Sequence, residues 1–401
     1  MKFSNRILEL KESPIRKMAT YVNEAIDRGI KINHLNIGQP DIETPSVFMD
    51  EIKKYENKVL KYAPSQGLDI LQDAIVKYYR YKNIHLSREH IIITTGASEA
   101  ILFVVTAICD IGDEILIPEP FYVNTRNFFD QLGVEAIGIP TESQSNFHLP
   151  GANVIKNLIS NKTRAIMITN PNNPTGTVYT ETEMKLIIDI ALEYDLFIIA
   201  DEVYSSITFD KREIKSFAHF NQIENKVIII DSISKRYSSC GARIGALISK
   251  NMLLVKQVIK LAQARLSVAT LDQIGASALY KIDEKYYEHI SQIYEHRRNI
   301  VIHELNQIPH IKYGLPEGAF YLLIELPFID AEEFVIWMLK DFNLDGETVL
   351  VTPAKDFYTN ENVGKNQIRI AFVNDDKQLI KSIKILKSAI YEYSLLENGI
   401  F

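Results

Sequence analysis

Residues 227–245 read VIIIDSISKRYSSCGARIG. Four β-branched residues, Val227–Ile230, run into Asp231 and a short polar loop, and the chain re-enters an apolar run at Ile244–Ser249. A run that is apolar at every position, not at alternate ones, belongs to a strand covered on both faces. The same pattern recurs upstream at Ile91–Thr95, Glu114–Pro118, Ala165–Thr169 and Leu196–Ala200. Helix-length segments lie between the strands, at Ser98–Cys109, Glu181–Tyr194 and Met252–Arg265. This rhythm predicts an α/β fold with a largely parallel sheet.

The character changes after about Leu279. A long charged helical stretch, Lys281–Ile308, leads to PEGAFYLLIEL and QIRIAFVN, which read as antiparallel strands beside helices Ala331–Phe342 and Asp376–Leu396. This predicts a smaller α+β domain. The early strand-like segment Lys31–Asn36 has no partner nearby in sequence, so the first residues are expected to join that domain. The expected division is a large domain at 45–285 and a discontinuous small domain at 1–44 and 286–401.

The 401 residues are 46% hydrophobic and 24% charged, a globular balance too long for one ordinary core. The net charge of -7 is spread along the chain with no Lys/Arg block, which argues against nucleic acid or an anionic membrane as partner. Two cysteines, Cys109 and Cys240, make no disulfide framework or metal-like cluster and read as buried or half-buried thiols in a reducing compartment. The N-terminal stretch lacks a signal-peptide core, and the apolar runs fall far short of the roughly 20 residues of a membrane span. A cytoplasmic protein without a metal is the expectation.

Four features fall where the strands end, the place where open α/β sheets bind ligands. TTGASEA, 94–100, turns a strand through Gly96, Ala97 and Ser98 into a helix whose free N–H groups could face an anion. It lacks the dinucleotide and P-loop fingerprints. NPNNPTG, 170–176, must form a fixed loop, either an Asx-turn connection or a place where Asn side chains meet a ligand. IIADEVY, 198–204, puts Asp201 at the end of an apolar strand, where a carboxylate calls for a cationic partner, with Tyr204 three residues on. An N-cap is the other reading of Asp201. In the opening stretch, Lys235 is an amine that can be desolvated into a nucleophile toward carbonyls, flanked by Ser232 and Arg243 as anion ligands. Together they make a phosphate cradle, an Asn loop, a carboxylate for a ring nitrogen, a tyrosine and a reactive lysine, the inventory that pyridoxal-phosphate chemistry needs.

In the order of these motifs, over nearly its whole length, the sequence resembles the class I/II aminotransferases of fold type I, the aspartate aminotransferase family. SPIRKM and LNIGQPDIETP resemble its N-terminal segment, YAPSQG its loop that reaches a neighbouring subunit, PEPFYVN its ring-stacking segment, and QIRIAF its carboxylate clamp. The resemblance implies a three-layer α/β/α large domain with a mostly parallel sheet plus a small α+β domain, pyridoxal 5'-phosphate as cofactor, and a homodimer. It implies Lys235 as the Schiff-base lysine and proton carrier, Asp201 on the pyridine nitrogen and Tyr204 on the phenolic oxygen. Gly96, Ala97, Ser98, Ser232 and Arg243 would hold the phosphate, with Tyr62 reaching it from the other subunit. Tyr122 would stack on the ring, Asn173 would lie near the phenolic oxygen and the substrate carboxylate, Arg369 would clamp that carboxylate, and Gly38 would approach by its backbone.

The implied reaction moves an α-amino group from an L-amino acid, aspartate first, to a 2-oxo acid such as 2-oxoglutarate. Arg16 and Arg265, the latter from the partner subunit, are the candidates for a dicarboxylate's second carboxylate. A cysteine-S-conjugate β-lyase and an aromatic aminotransferase are the alternatives on the same scaffold. The sequence departs from many relatives at Ala242, Ala354 and Tyr358, which are expected near the pocket mouth.

Overall fold

The computed structural model describes residues 2–4, 7–8, 10, 17–328 and 330–396. Its strands in chain order are β1 (Lys31–His34), β2 (Ile91–Thr94), β3 (Glu114–Glu119), β4 (Glu135–Pro140), β5 (Thr163–Thr169), β6 (Phe197–Asp201) and β7 (Val227–Ser232), followed by β8 (Gly245–Ile248), β9 (Lys312–Tyr313), β10 (Tyr321–Glu325), β11 (Glu347–Leu350), β12 (Thr352–Pro353) and β13 (Gln367–Ala371). Seven of them form one sheet in the order β2-β8-β7-β6-β5-β3-β4. The pairs from β7 through β6, β5 and β3 to β4 are parallel, and β8 runs antiparallel to both β7 and β2.

The continuous apolar runs follow from this placement. Successive side chains of a strand point to opposite faces, and here both faces are covered. Ile166, Ile168, Ile198, Ala200, Val227 and Ile229 enter one core, while Ala165, Met167, Ile199, Ile228 and Ile230 enter the other. The helices Gly96–Ile108 and Met252–Arg265 supply the second core with Ile101, Val104, Val105, Val255 and Val258. The sequence reading left out β4. Only Ile139 of that edge strand is buried, so it carries no continuous apolar signature.

The second body has two sheets. β1 pairs in parallel with β11, and β12-β13-β10-β9 form an antiparallel sheet. The expected charged helix runs Lys285–Leu305, and the other two run Ala331–Lys340 and Asp376–Leu396. In β13, Arg369 lies opposite Leu323 of β10 and Thr352 of β12. Met18, Leu35, Tyr204 and Phe209 join the core of this body, so the segment after β6 is packed by both halves of the molecule. Among the described residues no helix is long and apolar enough to cross a membrane.

A charged knot ties the two sheets' surroundings together. His148 Nδ1 lies 3.0 Å from Glu183, which also accepts the backbone N–H groups of Leu149 and Thr180 and the Thr180 hydroxyl. His148 Nε2 lies 3.5 Å from Glu317, which also takes Arg212 at 2.8 Å and the Val178 N–H at 3.0 Å. Glu317 opens the turn that leads into β10. The carboxylates of Glu183 and Glu317 push the His148 imidazole up to about 9 against the opposing effect of burial. Burial works against Glu183 and Glu317 too, but His148 and the backbone donors outweigh it and hold both carboxyls below the usual range.

A raised histidine contributes all its stability below its unfolded value, about 6.5, and loses it as pH rises through the folded one. The thermal midpoint is therefore expected to fall between pH 6.5 and 9 by an amount worth at most ~3 kcal/mol, and His148→Gln should lower stability near pH 6.5 while flattening that slope. Differential scanning calorimetry across this range checks it; equal slopes in both proteins would contradict it.

Candidate active site

The carboxyl ends of β5, β6 and β7 open into one cavity of about 330 Å³. At the end of β7, Ser232 caps the one-turn helix Ile233–Arg236: its Oγ accepts from Ser234 N at 3.1 Å and donates to the Ile244 carbonyl at 3.0 Å. This turn aims Lys235 into the cavity, where Nζ donates to the Gly38 carbonyl at 2.7 Å. Gly38 must be glycine here, because a Cβ would stand 1.8 Å from the Tyr321 hydroxyl.

Asp201 ends β6, is 8% exposed, and accepts the Val203 N–H at 3.3 Å. Burial, with a smaller push from Asp231, raises its carboxyl to about 7, and Val203 pulls the other way. A cationic donor in the cavity would reverse that shift. The Tyr204 hydroxyl lies 3.0 Å from that of Tyr321, and burial pushes its phenol well above the usual range.

The helix Gly96–Ile108 starts at the cavity, with Ala97 and Ser98 in its wall. Gly96 has φ +71°, and a Cβ on it would meet Arg243 Nη2 at 2.4 Å. Arg243 itself adopts φ +53°, and its Nη1 donates to the Cys240 carbonyl at 3.1 Å. A helix N-terminus beside a guanidinium is an anion site. On another wall, Tyr122 is held by Asn124, whose Nδ2 donates to its hydroxyl at 2.7 Å.

The two readings of the Asn loop divide between neighbours. Asn172 makes the Asx-type turn, accepting from Thr175 N at 3.3 Å and Thr175 Oγ1 at 3.1 Å. Asn173 faces the cavity and accepts Arg369 Nη1 at 3.2 Å. Arg369 is 2% exposed; its Nη2 donates to the Asn36 carbonyl at 2.6 Å, while its Nε is buried with no hydrogen-bond partner.

Not every candidate reaches this cavity. Tyr62 is 82% exposed and away from it. Arg265 donates to the carbonyls of Ser65 and Ile93, both at 3.2 Å, and lies 3.7 Å from Glu99, so it does not enter the cavity. Arg16 lies outside the described residues. Ala354 and Tyr358 sit in a buried cluster with Val123 and Phe357, where the Tyr358 hydroxyl is spent on Gln367 at 2.6 Å; packing places them there and not at the cavity wall. Conversely, Tyr321, Thr169 and Gln39 line the cavity without having been singled out by the sequence, and Cys240, read there only as a buried or half-buried thiol, lines it too. Tyr321 has the largest role among them. Its ring lies 4.7 Å from the Arg369 guanidinium and its hydroxyl pairs with Tyr204.

This geometry has known counterparts. The sequence family "Aminotransferase class I and II" matches residues 30–384. The aspartate aminotransferase of Bacillus subtilis (strain 168) is 30% identical over 98% of this chain and all of its own. Aromatic-amino-acid aminotransferase 2 of Thermococcus litoralis is 29% identical over 99% of this chain and all of its own. Among solved structures, the alanine aminotransferase of Pyrococcus furiosus superposes with a TM-score of 0.89 at 27% identity, covering 98% of this chain and all of that one.

The fold and site thus define an enzyme that handles amino groups, and the chain belongs to the class I and II aminotransferases. It is a pyridoxal-phosphate-dependent transaminase. The cavity fits that cofactor: it has an anion cradle, a lysine amine, and a buried carboxylate whose raised protonation a ring cation would relieve.

Gly38→Ala is expected to force Tyr321 away from both Tyr204 and Arg369, lowering kcat/KM about 10²-fold with little change in thermal midpoint. Steady-state kinetics beside calorimetry check it; an alanine variant with full activity would refute this close packing.

Proposed function

We propose that the enzyme moves the α-amino group of an L-amino acid, aspartate first among donors, to a 2-oxo acid such as 2-oxoglutarate in a ping-pong cycle. The observation that carries this reading is Arg369: a buried guanidinium held by Asn36 and Asn173, with its fork on the cavity that Lys235 also enters. Such a fork matches a carboxylate by two parallel hydrogen bonds. When bound, pyridoxal phosphate supplies the reactive aldehyde and an electron-accepting pyridine ring.

The chain's own groups do the rest. Arg369 and Asn173 hold the substrate carboxylate and so fix which bond of the α-carbon faces Lys235. Lys235 Nζ would hold the cofactor aldehyde in the resting enzyme and, once the substrate amine takes its place, would be the free amine that accepts the α-proton. Asp201 keeps a proton on the pyridine nitrogen; Tyr204 and Asn173 serve the phenolic oxygen. Gly96, Ala97, Ser98, Ser232 and Arg243 hold the phosphate, and Tyr122 covers the ring. Gly38 lets the backbone close on the substrate.

We further place the domain division at 45–285 against 1–44 with 286–401, and read the exposed Tyr62 as reaching a second copy's phosphate in a homodimer. Arg16, or Arg265 from that second copy, would meet an acidic side chain. A neutral or aromatic donor is the second reading. Ile37, Tyr122 and Tyr321 in the cavity wall favour it, and one of the relatives is named for aromatic amino acids.

An absorption spectrum of the holoenzyme mixed with L-aspartate in the absence of any oxo acid tests the first reading. Loss of the visible band and growth of the amine form near the ultraviolet are expected. A band that ignores aspartate and answers phenylalanine or tyrosine would support the second reading, and pyruvate with ammonia from a cysteine conjugate would support a β-lyase.

A further inference from the structure

Behind the turn that carries Lys235 lies a buried ion pair that none of the groups above uses. Consecutive residues of a helical turn point about 100° apart, so Lys235 enters the cavity and Arg236 leaves it on the far side. The Arg236 guanidinium grips Asp231 with two prongs, Nη2 to Oδ1 at 2.7 Å and Nη1 to Oδ2 at 3.1 Å. The two side chains are 1% and 0% exposed. Tyr280 donates its hydroxyl to Asp231 at 3.3 Å, and the rings of Tyr78, Tyr237 and Tyr280 stand 4.5, 5.8 and 5.8 Å from the guanidinium carbon.

Two consequences follow from where these residues sit in the chain. Asp231 precedes Ser232 and Arg236 follows Lys235, so the pair clasps both ends of the segment that bears the lysine and a phosphate ligand. Arg236 Nε also donates to Ser206 Oγ at 3.0 Å, two residues beyond Tyr204. One guanidinium therefore ties together the Lys235 segment and the Asp201–Ser206 segment.

The pair also has an electrostatic reach. After burial, the Asp231 charge is what pushes Asp201 toward its protonated form, and it acts on Glu202 in the same direction. Arg236 is the cation paired with that carboxylate. For stability alone an apolar filling of such a site often serves as well as ions, whereas a two-pronged fork fixes direction as well as distance.

We propose that the Arg236–Asp231 pair is a positioning device for the cofactor site: it sets the Lys235 turn against the Asp201 segment. The proposal rests on the reading of Lys235 and Asp201 given above.

The test uses holoenzyme of the wild type, the charge-neutral double variant Asp231→Asn/Arg236→Met, and Arg236→Lys, which keeps the charge but not the fork. Folding is followed by far-ultraviolet circular dichroism. The readouts are kcat, KM for the amino donor, and the visible circular dichroism of the bound cofactor, which reports how its ring is held. A folded double variant is expected to lose about 10²-fold in kcat, keep KM within about threefold, and lose at least about half of its visible dichroism.

A folded double variant with wild-type kcat and dichroism, or with a loss confined to KM, overturns the proposal. Should the double variant not fold, Arg236→Lys decides: folded protein with the same kcat and dichroism losses supports the device, and wild-type values overturn it. Collapse of Arg236→Lys as well assigns the pair to folding alone and also overturns it. The wild-type control separates this from the underlying reading, because wild-type protein that takes up no pyridoxal phosphate sinks the cofactor-site assignments instead.

Discussion

A carboxylate at the end of a strand buried on both faces is the constraint around which this structure is arranged. Asp201 closes β6, the central strand of the seven-stranded sheet, and accepts the Val203 N–H. Left alone it drifts toward its neutral acid. A ring cation seated in the cavity would remove that cost, and on the proposed reading the elements around Asp201 would seat one. β7 brings Lys235 from one side, β5 brings Thr169 and the Asn loop from the other, and the helix beginning at Gly96 supplies the anion site. Binding energy gathered at the phosphate and the carboxylate is then available for orienting the reacting atoms.

The second body contributes Arg369, the proposed carboxylate clamp. Arg369 comes from the middle of β13 and reaches Asn173 of the first body and Asn36 of the N-terminal segment. Tyr321, on the neighbouring strand, fills the gap between Arg369, Tyr204 and Gly38. The cavity is therefore shared between the two bodies, and the charged knot of His148, Glu183 and Glu317 fixes the turn that delivers Tyr321.

Much of this was legible because the chemistry-bearing residues sit in short loops directly after strands. The strands betray themselves by unbroken apolar runs, and the loops by Gly, Asn, Asp and Lys that a mere connection does not need. Ser232, Lys235 and Arg243 could be read within one stretch of sequence, as could the pair Asp201 and Tyr204. Tyr321 could not, because its partners are 117 positions away in Tyr204 and across the sheet in Arg369. The Asn36 carbonyl is 333 positions from the guanidinium it serves, and a backbone atom has no sequence signature. Nothing in the sequence singles out Arg236 beside Lys235; its pairing with Asp231 inside a shell of tyrosines reveals its place. β4 escaped because, at the sheet's edge, Ile139 alone of its residues is fully buried and no continuous apolar run is needed.

The most direct test of the account is to reduce the holoenzyme with borohydride, which makes the linkage between an amine and the cofactor aldehyde permanent, and to map the labelled peptide by mass spectrometry. The account predicts a single pyridoxyl phosphate group on Lys235, within the peptide that contains Ser232 and Ser234. A label on another lysine, or none on protein that has taken up the cofactor, would contradict it.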